Sequence, residues 1–256
     1  MFKTILDCLA FLTILPIKTE GLLTPAEMGR FPACYPVVGL VLGLASFVLA
    51  TLLGWTALPV ATSAVSLVLA QIVLTRGFHL DGLADAADAL LSHRSQERKL
   101  EILKDSHLGT FGVLAIVADF ALKSTILVSL AVGGLFPPHV LLLYPVWGRL
   151  TASAVAAWGK PVPRPQGTPD DRPVGLGHNM VALGGLNELC LASLFGLALS
   201  LIFGLKAFLC ALLALVLGYF LVKLWKYCLG GVSGDLLGAS VELGELATLA
   251  FFAAMG

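Results

Sequence analysis

From Phe31 to Thr75 the chain carries no Asp, Glu, Lys or Arg. A water-soluble fold has little room for such a stretch, because large exposed apolar patches aggregate. A bilayer accepts it. A spanning helix needs about 20 apolar residues, so the stretch is long enough to cross twice, at about 35–55 and 58–75, with a turn at Trp55–Pro59. Similar runs recur at 111–133, 138–158, 182–204, 207–226 and 236–256. Only 12% of the 256 residues are charged, against roughly 25% in ordinary soluble domains. The sequence therefore predicts an all-α fold: a polytopic membrane helix bundle with about six to seven transmembrane helices.

The apolar run at 4–17 is too short to cross and ends at Pro16, which predicts a short N-terminal interfacial or half-inserted helix. No polar stretch is long enough to fold alone, so residues 1–256 read as a single integral membrane domain. The five cysteines are scattered, without a CxxC pair, and read as buried thiols. A net charge of zero gives no reason to expect nucleic acid as a partner. Lys and Arg concentrate in alternate loops, including Arg76, Arg94, Arg98, Lys99, Lys160 and Lys223. The positive-inside rule assigns those loops to the cytoplasm.

Ten of the 32 acidic and basic residues fall between His79 and Gly112, and segment 76–112 reads as the active-site region. Asp81, Asp85 and Asp88 stand at i, i+4 and i+7, which lines three carboxylates along one helical stripe. Like charges so placed repel unless a cation lies among them. The alternative is a solvated acidic face. The adjoining uncharged span favours the other reading, a site for a hard divalent cation such as Mg²⁺, with Asp81, Asp85 and Asp88 as ligands and His79 beside them. Glu101 and Asp105 repeat the i, i+4 spacing, next to Lys104. The turn at Ser106–Gly112 has two glycines and reads as a place where backbone N–H groups approach phosphate.

Charges inside the spans need partners or a cavity. Asp119 and Lys123 are i, i+4 and able to pair. Arg149 has no acidic neighbour in sequence, so it needs a carboxylate across the bundle or a bound phosphate. Glu242 and Glu245 lie in the last apolar segment. A divalent cation with cationic clamps is a recurrent arrangement for phosphoryl transfer.

Three segments carry a likeness: GFHLDGLADAADAL at 77–90, LEILKDSHLGTFG at 100–112 and GGVSGDLLGASVELGELATLA at 230–250. They closely resemble the cobalamin synthase family, the adenosylcobinamide-GDP ribazoletransferases, over most of the chain. The loop at 159–180 departs from the family pattern, leaving Arg164 or Arg172 as its arginine. The resemblance implies a Mg²⁺-dependent enzyme of the bacterial inner membrane, with its active site facing the cytoplasm. Its substrates would be adenosylcobinamide-GDP and alpha-ribazole or its 5′-phosphate, its surroundings the lipid bilayer, and a homo-oligomer is compatible with it. A ribose hydroxyl of alpha-ribazole would attack the phosphorus nearer the corrinoid and release GMP. Asp81, Asp85 and Asp88 would hold the metal. Asp105 would be the base, with Lys104 and Glu101 in the catalytic group. His79, Lys123, Arg149, Asp235 and Glu242 would bind substrate. A CDP-alcohol phosphotransferase shares the acidic helix, but DGLAD lacks that family's early Arg and its second acidic half. An ion-coupled transporter would show internal repeats, and none is clear.

Overall fold

In lipid a backbone must satisfy its own hydrogen bonds, so apolar runs of spanning length become helices. The computed structural model describes residues 2–19, 21–105, 107–163 and 176–256. Among them every regular element is a helix; one isolated β-bridge closes the turn at Val132–Leu135, and another joins Pro161 to Val232. Five helices are long and apolar enough to cross a membrane: α3 (Phe31–Gly54), α7 (Thr110–Leu130), α8 (Pro138–Trp158), α11 (Leu205–Leu229) and α12 (Gly234–Ala254). Two bent pairs raise the count to seven: α4 (Val60–Leu74) with α5 (Phe78–Leu91), and α9 (Leu176–Leu183) with α10 (Leu186–Ile202). The chain is thus a multi-pass membrane helix bundle. The remaining helices are short: α1 (Phe2–Leu12), α2 (Pro25–Gly29) and α6 (Gln96–Ile102).

α8 is the axis. It packs against α3, α10, α11 and α12, and 89% of its most apolar stretch is buried, against 28% for α3 and 22% for α7. The outer helices therefore turn most of their apolar surface outward, where only lipid is a suitable solvent. Gly39 and Gly43 let α3 touch the α8 backbone at Pro145 and Leu142, where a Cβ would collide with carbonyl oxygens.

Two apolar cores form, one around Phe31, Trp225 and Leu236, the other around Leu67, Trp147 and Leu249. Along α12 the first core takes Leu236–Val241 and the second takes Leu249 and Phe252. Glu242 and Glu245 fall between them. Along α8 Arg149 lies near the same boundary.

α4 and α5 meet at 91°. Arg76 and Gly77 both take left-handed backbone there, with φ of 56° and 67°. That conformation strains an arginine, and side-chain bonds hold it: Arg76 Nη2 donates to the carbonyls of Ala10 at 3.0 Å and Thr13 at 2.7 Å. The same bonds close the C-terminal end of α1. At 11 residues, α1 is about 16 Å long, too short to span, as the sequence predicts. It stops at Leu12, earlier than the expected 17, and the chain then turns to bond Ile14 N–H to the Leu74 carbonyl at 2.8 Å.

The segment at 18–34 contains α2, fixed by Thr24 and Glu27 in a reciprocal capping box. The structure refines two further expectations. The span at 182–204 begins only at Leu186, because a 92° bend separates it from α9. The segment at 236–256 is one continuous 21-residue helix from Gly234. Arg164 and Arg172 lie outside the described residues.

Candidate active site

Segments far apart in sequence come together on α5. The right-angle bend turns α5 away from the line of α4 and lays it against α12 and α7, with its first turns over the start of α12. Gly82 makes this crossing possible, since a Cβ there would run into the Asp235 carbonyl. Ser233 caps α12 by accepting from Leu236 N–H at 3.4 Å, which places Asp235 in the first turn, opposite the α5 stripe.

Asp85 is half-buried there and faces other carboxylates. Desolvation first, then repulsion from Asp81, Asp235 and Asp88, pushes its pKa up to about 7. No basic side chain contributes to that shift. Asp81 is exposed and Asp235 is partly covered. Hard oxygen donors that repel one another beside solvent suit a hard divalent cation, which takes one or two carboxylates and keeps positions for water and phosphate. Among the described residues no three His, Cys, Asp or Glu side chains converge tightly enough to hold an ion alone. The donor set fits an ion that substrate oxygens would complete.

Asp88 takes a different part from the one its spacing suggests. Its Oδ2 accepts from Gly109 N–H at 2.8 Å and its Oδ1 from Gly112 N–H at 2.9 Å. These are orphan donors at the start of α7, and a carboxylate there also complements the helix dipole. A Cβ at Gly109 or Gly112 would strike this carboxylate. The N–H groups expected to approach phosphate are therefore given to Asp88, and the second motif is fastened to the first.

The expected catalytic group lies on the surface. Glu101 pairs with Arg98, and both are well exposed. Lys104 is exposed. Asp105 accepts from His107 N–H at 3.1 Å and stands 2.6 Å from His107 Nδ1. That contact holds the Asp105 carboxyl below its usual range and raises the imidazole.

The residues expected to bind substrate divide. Asp235 joins the acidic stripe. His79, Lys123, Arg149 and Glu242 gather instead in the layer between the two cores. Lys123 Nζ contacts Asp119 Oδ2 at 3.1 Å, Glu245 Oε2 at 2.9 Å and Glu242 Oε2. Arg149 Nη1 reaches Glu245 Oε1, and its Nη2 lies 3.4 Å from His79 Nδ1. Arg149 thus finds its carboxylate on α12, and the Asp119–Lys123 pair forms as its spacing allows. These cations are already satisfied by acids.

Sequence reasoning left Glu245 without a role, although it bridges Lys123 and Arg149. It also passed over Gln71, a buried polar residue in an uncharged span, whose Nε2 donates to the Leu42 carbonyl at 2.8 Å and to Ser46 Oγ. A lone Gln in such a run is a signal that was available.

Comparison with known proteins agrees over nearly the full length. Residues 4–253 match the family model described as Cobalamin-5-phosphate synthase. An adenosylcobinamide-GDP ribazoletransferase from Desulfitobacterium hafniense (strain Y51) is 35% identical over 239 residues, covering 93% of this chain and 91% of the relative. One from Acetivibrio thermocellus is 35% identical over 252 residues, covering 98% and 97%. One from Klebsiella pneumoniae subsp. pneumoniae is 35% identical over 250 residues, covering 96% and 97%. No solved structure matches.

Proposed function

This chain belongs to the Cobalamin-5-phosphate synthase family, and on that premise we propose how its residues carry out the transfer. It is a transferase of cobalamin biosynthesis with adenosylcobinamide-GDP ribazoletransferase activity. The CDP-alcohol phosphotransferase and transporter readings fall away with the family match. The observation that carries the site is the meeting of three motifs: 77–90 crosses 230–250 at Gly82 and Asp235, and is tied to 100–112 through Asp88, Gly109 and Gly112.

The substrates are adenosylcobinamide-GDP and alpha-ribazole or its 5′-phosphate. A ribose hydroxyl oxygen bonds to the phosphorus nearer the corrinoid, and the bond from that phosphorus to the bridging oxygen of the pyrophosphate breaks. GMP leaves with the bridging oxygen, and the hydroxyl proton passes to a base. Asp81 and Asp85, with Asp235 opposite, would hold Mg²⁺, which neutralises charge on the pyrophosphate. Asp88 keeps the Gly109–Gly112 end of the 100–112 segment against α5. Asp105 is ionised at neutral pH and would take the proton; its contact with His107 lowers its pKa further, which weakens it as a base until His107 moves away. Lys104 is free to meet phosphate oxygens from the surface.

The reading puts the site on the cytoplasmic face of a bacterial inner membrane, supported by the positive-inside rule, which assigns the Lys- and Arg-rich segment around Arg76–Lys104 to the cytoplasm. The test is turnover by detergent-solubilised protein given adenosylcobinamide-GDP and alpha-ribazole, with Mg²⁺ or with EDTA. Adenosylcobalamin and GMP are expected to appear only with Mg²⁺. Product formed equally in EDTA would remove the metal role of Asp81 and Asp85. No product from well-folded protein would remove the reaction.

A further inference from the structure

The transfer as proposed above does not call on the charged layer, and the layer's formal charges do not cancel. Asp119, Glu242 and Glu245 bring three negative charges, while Lys123 and Arg149 bring two positive ones. His79 adds none, because its Nδ1 faces the Arg149 guanidinium at 3.4 Å and can meet that donor only with a lone pair. One negative charge is left over at a depth where an uncompensated ion is costly.

A small cavity opens on this layer. Gln71 of α4, Asp119 and Lys123 of α7, Arg149 of α8, and Glu242 and Glu245 of α12 line it. Two of the lining oxygens, Gln71 Oε1 and Asp119 Oδ1, are buried without a hydrogen-bond partner. The Gln71 amide cannot be turned around, since its Nε2 needs the Leu42 carbonyl as acceptor. Arg149 Nε also lacks a partner, and the Tyr144 ring completes the wall. The Asp119 and Glu242 carboxyl groups face one another beside the Lys123 ammonium.

We propose that this cavity binds one positive charge, a proton shared between the carboxyl groups or a sodium-sized monovalent cation, with Asp119 and Gln71 as its principal oxygens. Either occupant cancels the surplus charge and gives both lone oxygens a partner. Its place also gives it reach. Gln71 stands just before the α4–α5 bend and His79 just after it, so the occupant ties α7 to the bend from which the acidic stripe departs.

The test uses the full chain in lipid nanodiscs without substrate, read as apparent Tm. One arm raises NaCl against choline chloride at constant ionic strength. The other varies pH from 6 to 8.5 without sodium. A saturable rise with NaCl alone supports a bound cation. Indifference to sodium, with Tm falling as pH rises, supports a bound proton. With the pH arm run in an Asp85→Asn background, so that Asp85 does not titrate in the same window, Asp119→Asn brings the charges to two against two and is expected to abolish whichever response the chain gives without it. Glu242→Gln makes the same correction should the first variant fold poorly. Gln71→Leu leaves the charge alone and is expected to raise the half-saturating sodium concentration tenfold or more if the occupant is a cation. No response in the unmodified chain, or an unchanged response in both charge-balancing variants, overturns the proposal. Tm does not report turnover, so this failure and failure of the transferase reading are separate results.

Discussion

Two groups of carboxylates share helix α12 and meet opposite fates. At the end of the bundle Asp81 and Asp85 of α5 face Asp235 of α12, with no basic side chain shaping the titration of Asp85. Further along α12, Glu242 and Glu245 meet Lys123 and Arg149 at contact distance. Both groups were built from residue types that are costly to bury. The first remains beside solvent and lacks a countercharge of its own, which is the condition for recruiting a metal and a pyrophosphate. The second is sealed between apolar cores and carries its countercharges, which makes it a structural layer. Countercharge supplied by the chain, more than burial alone, separates the site from the scaffold.

The largest effect is expected from breaking the sealed group. Lys123→Met strands two buried carboxylates, Asp119 and Glu242, and leaves Glu245 with Arg149 alone; it should destabilise the protein by about 3–5 kcal/mol, seen as a fall in apparent Tm and in membrane yield. Adding Glu242→Gln should restore part of the loss. If Lys123→Met is as stable as the parent, the two groups do not differ in the way described.

At the open group the loss should fall on chemistry. Asp81→Ala is expected to lower turnover by roughly 10²–10³-fold with Tm unchanged, in an assay with saturating Mg²⁺. A large Tm change with normal turnover would reverse the assignment. Gly109→Ala tests the link between motifs. Its Cβ meets the Asp88 carboxylate, and overpacking of this kind costs about 1–3 kcal/mol, here with reduced turnover because segment 100–112 leaves α5.

A smaller effect follows from Asp85. Its pKa of about 7 means that a metal must displace a proton below that pH. Mg²⁺ binding without substrate, followed by calorimetry, should be roughly tenfold weaker at pH 6 than at pH 8. The difference should vanish in Asp85→Asn. The smallest effect is expected at Glu101. Its partner Arg98 is as exposed as it is, and such pairs contribute little. Glu101→Ala should leave Tm unchanged and, if Glu101 is a bystander, turnover as well.

The spans were readable because lipid imposes one rule on length and polarity, and α3, α7, α8, α11 and α12 follow it. The bends were not readable. Arg76 adopts left-handed backbone only because Ala10 and Thr13, more than 60 positions away, offer it carbonyls. The stripe of Asp81, Asp85 and Asp88 was legible as a pattern, while its division of labour was not. Helical spacing says which residues share a face, but only the packing of α7 reveals that Asp88 caps it. Arg149 was legible as a residue in need of a partner, yet nothing local points to Glu245. Asp235 entered through family likeness, and its facing of Asp85 became apparent only from the crossing at Gly82.

The sealed layer also sets a timetable for synthesis. Glu242 follows Lys123 by 119 residues, and Glu245 follows Arg149 by 96. At ribosomal speeds that gap lasts roughly 5–25 s. Both cations enter the bilayer before their main counterions exist. Asp119, four residues from Lys123 on the same helix, is available from the outset and serves as a local escort for that charge. Arg149 has no such companion and must wait, with the Pro145 carbonyl and the earlier-made His79 as its nearest polar company. α12, made after the helices that carry Lys123 and Arg149, therefore locks them.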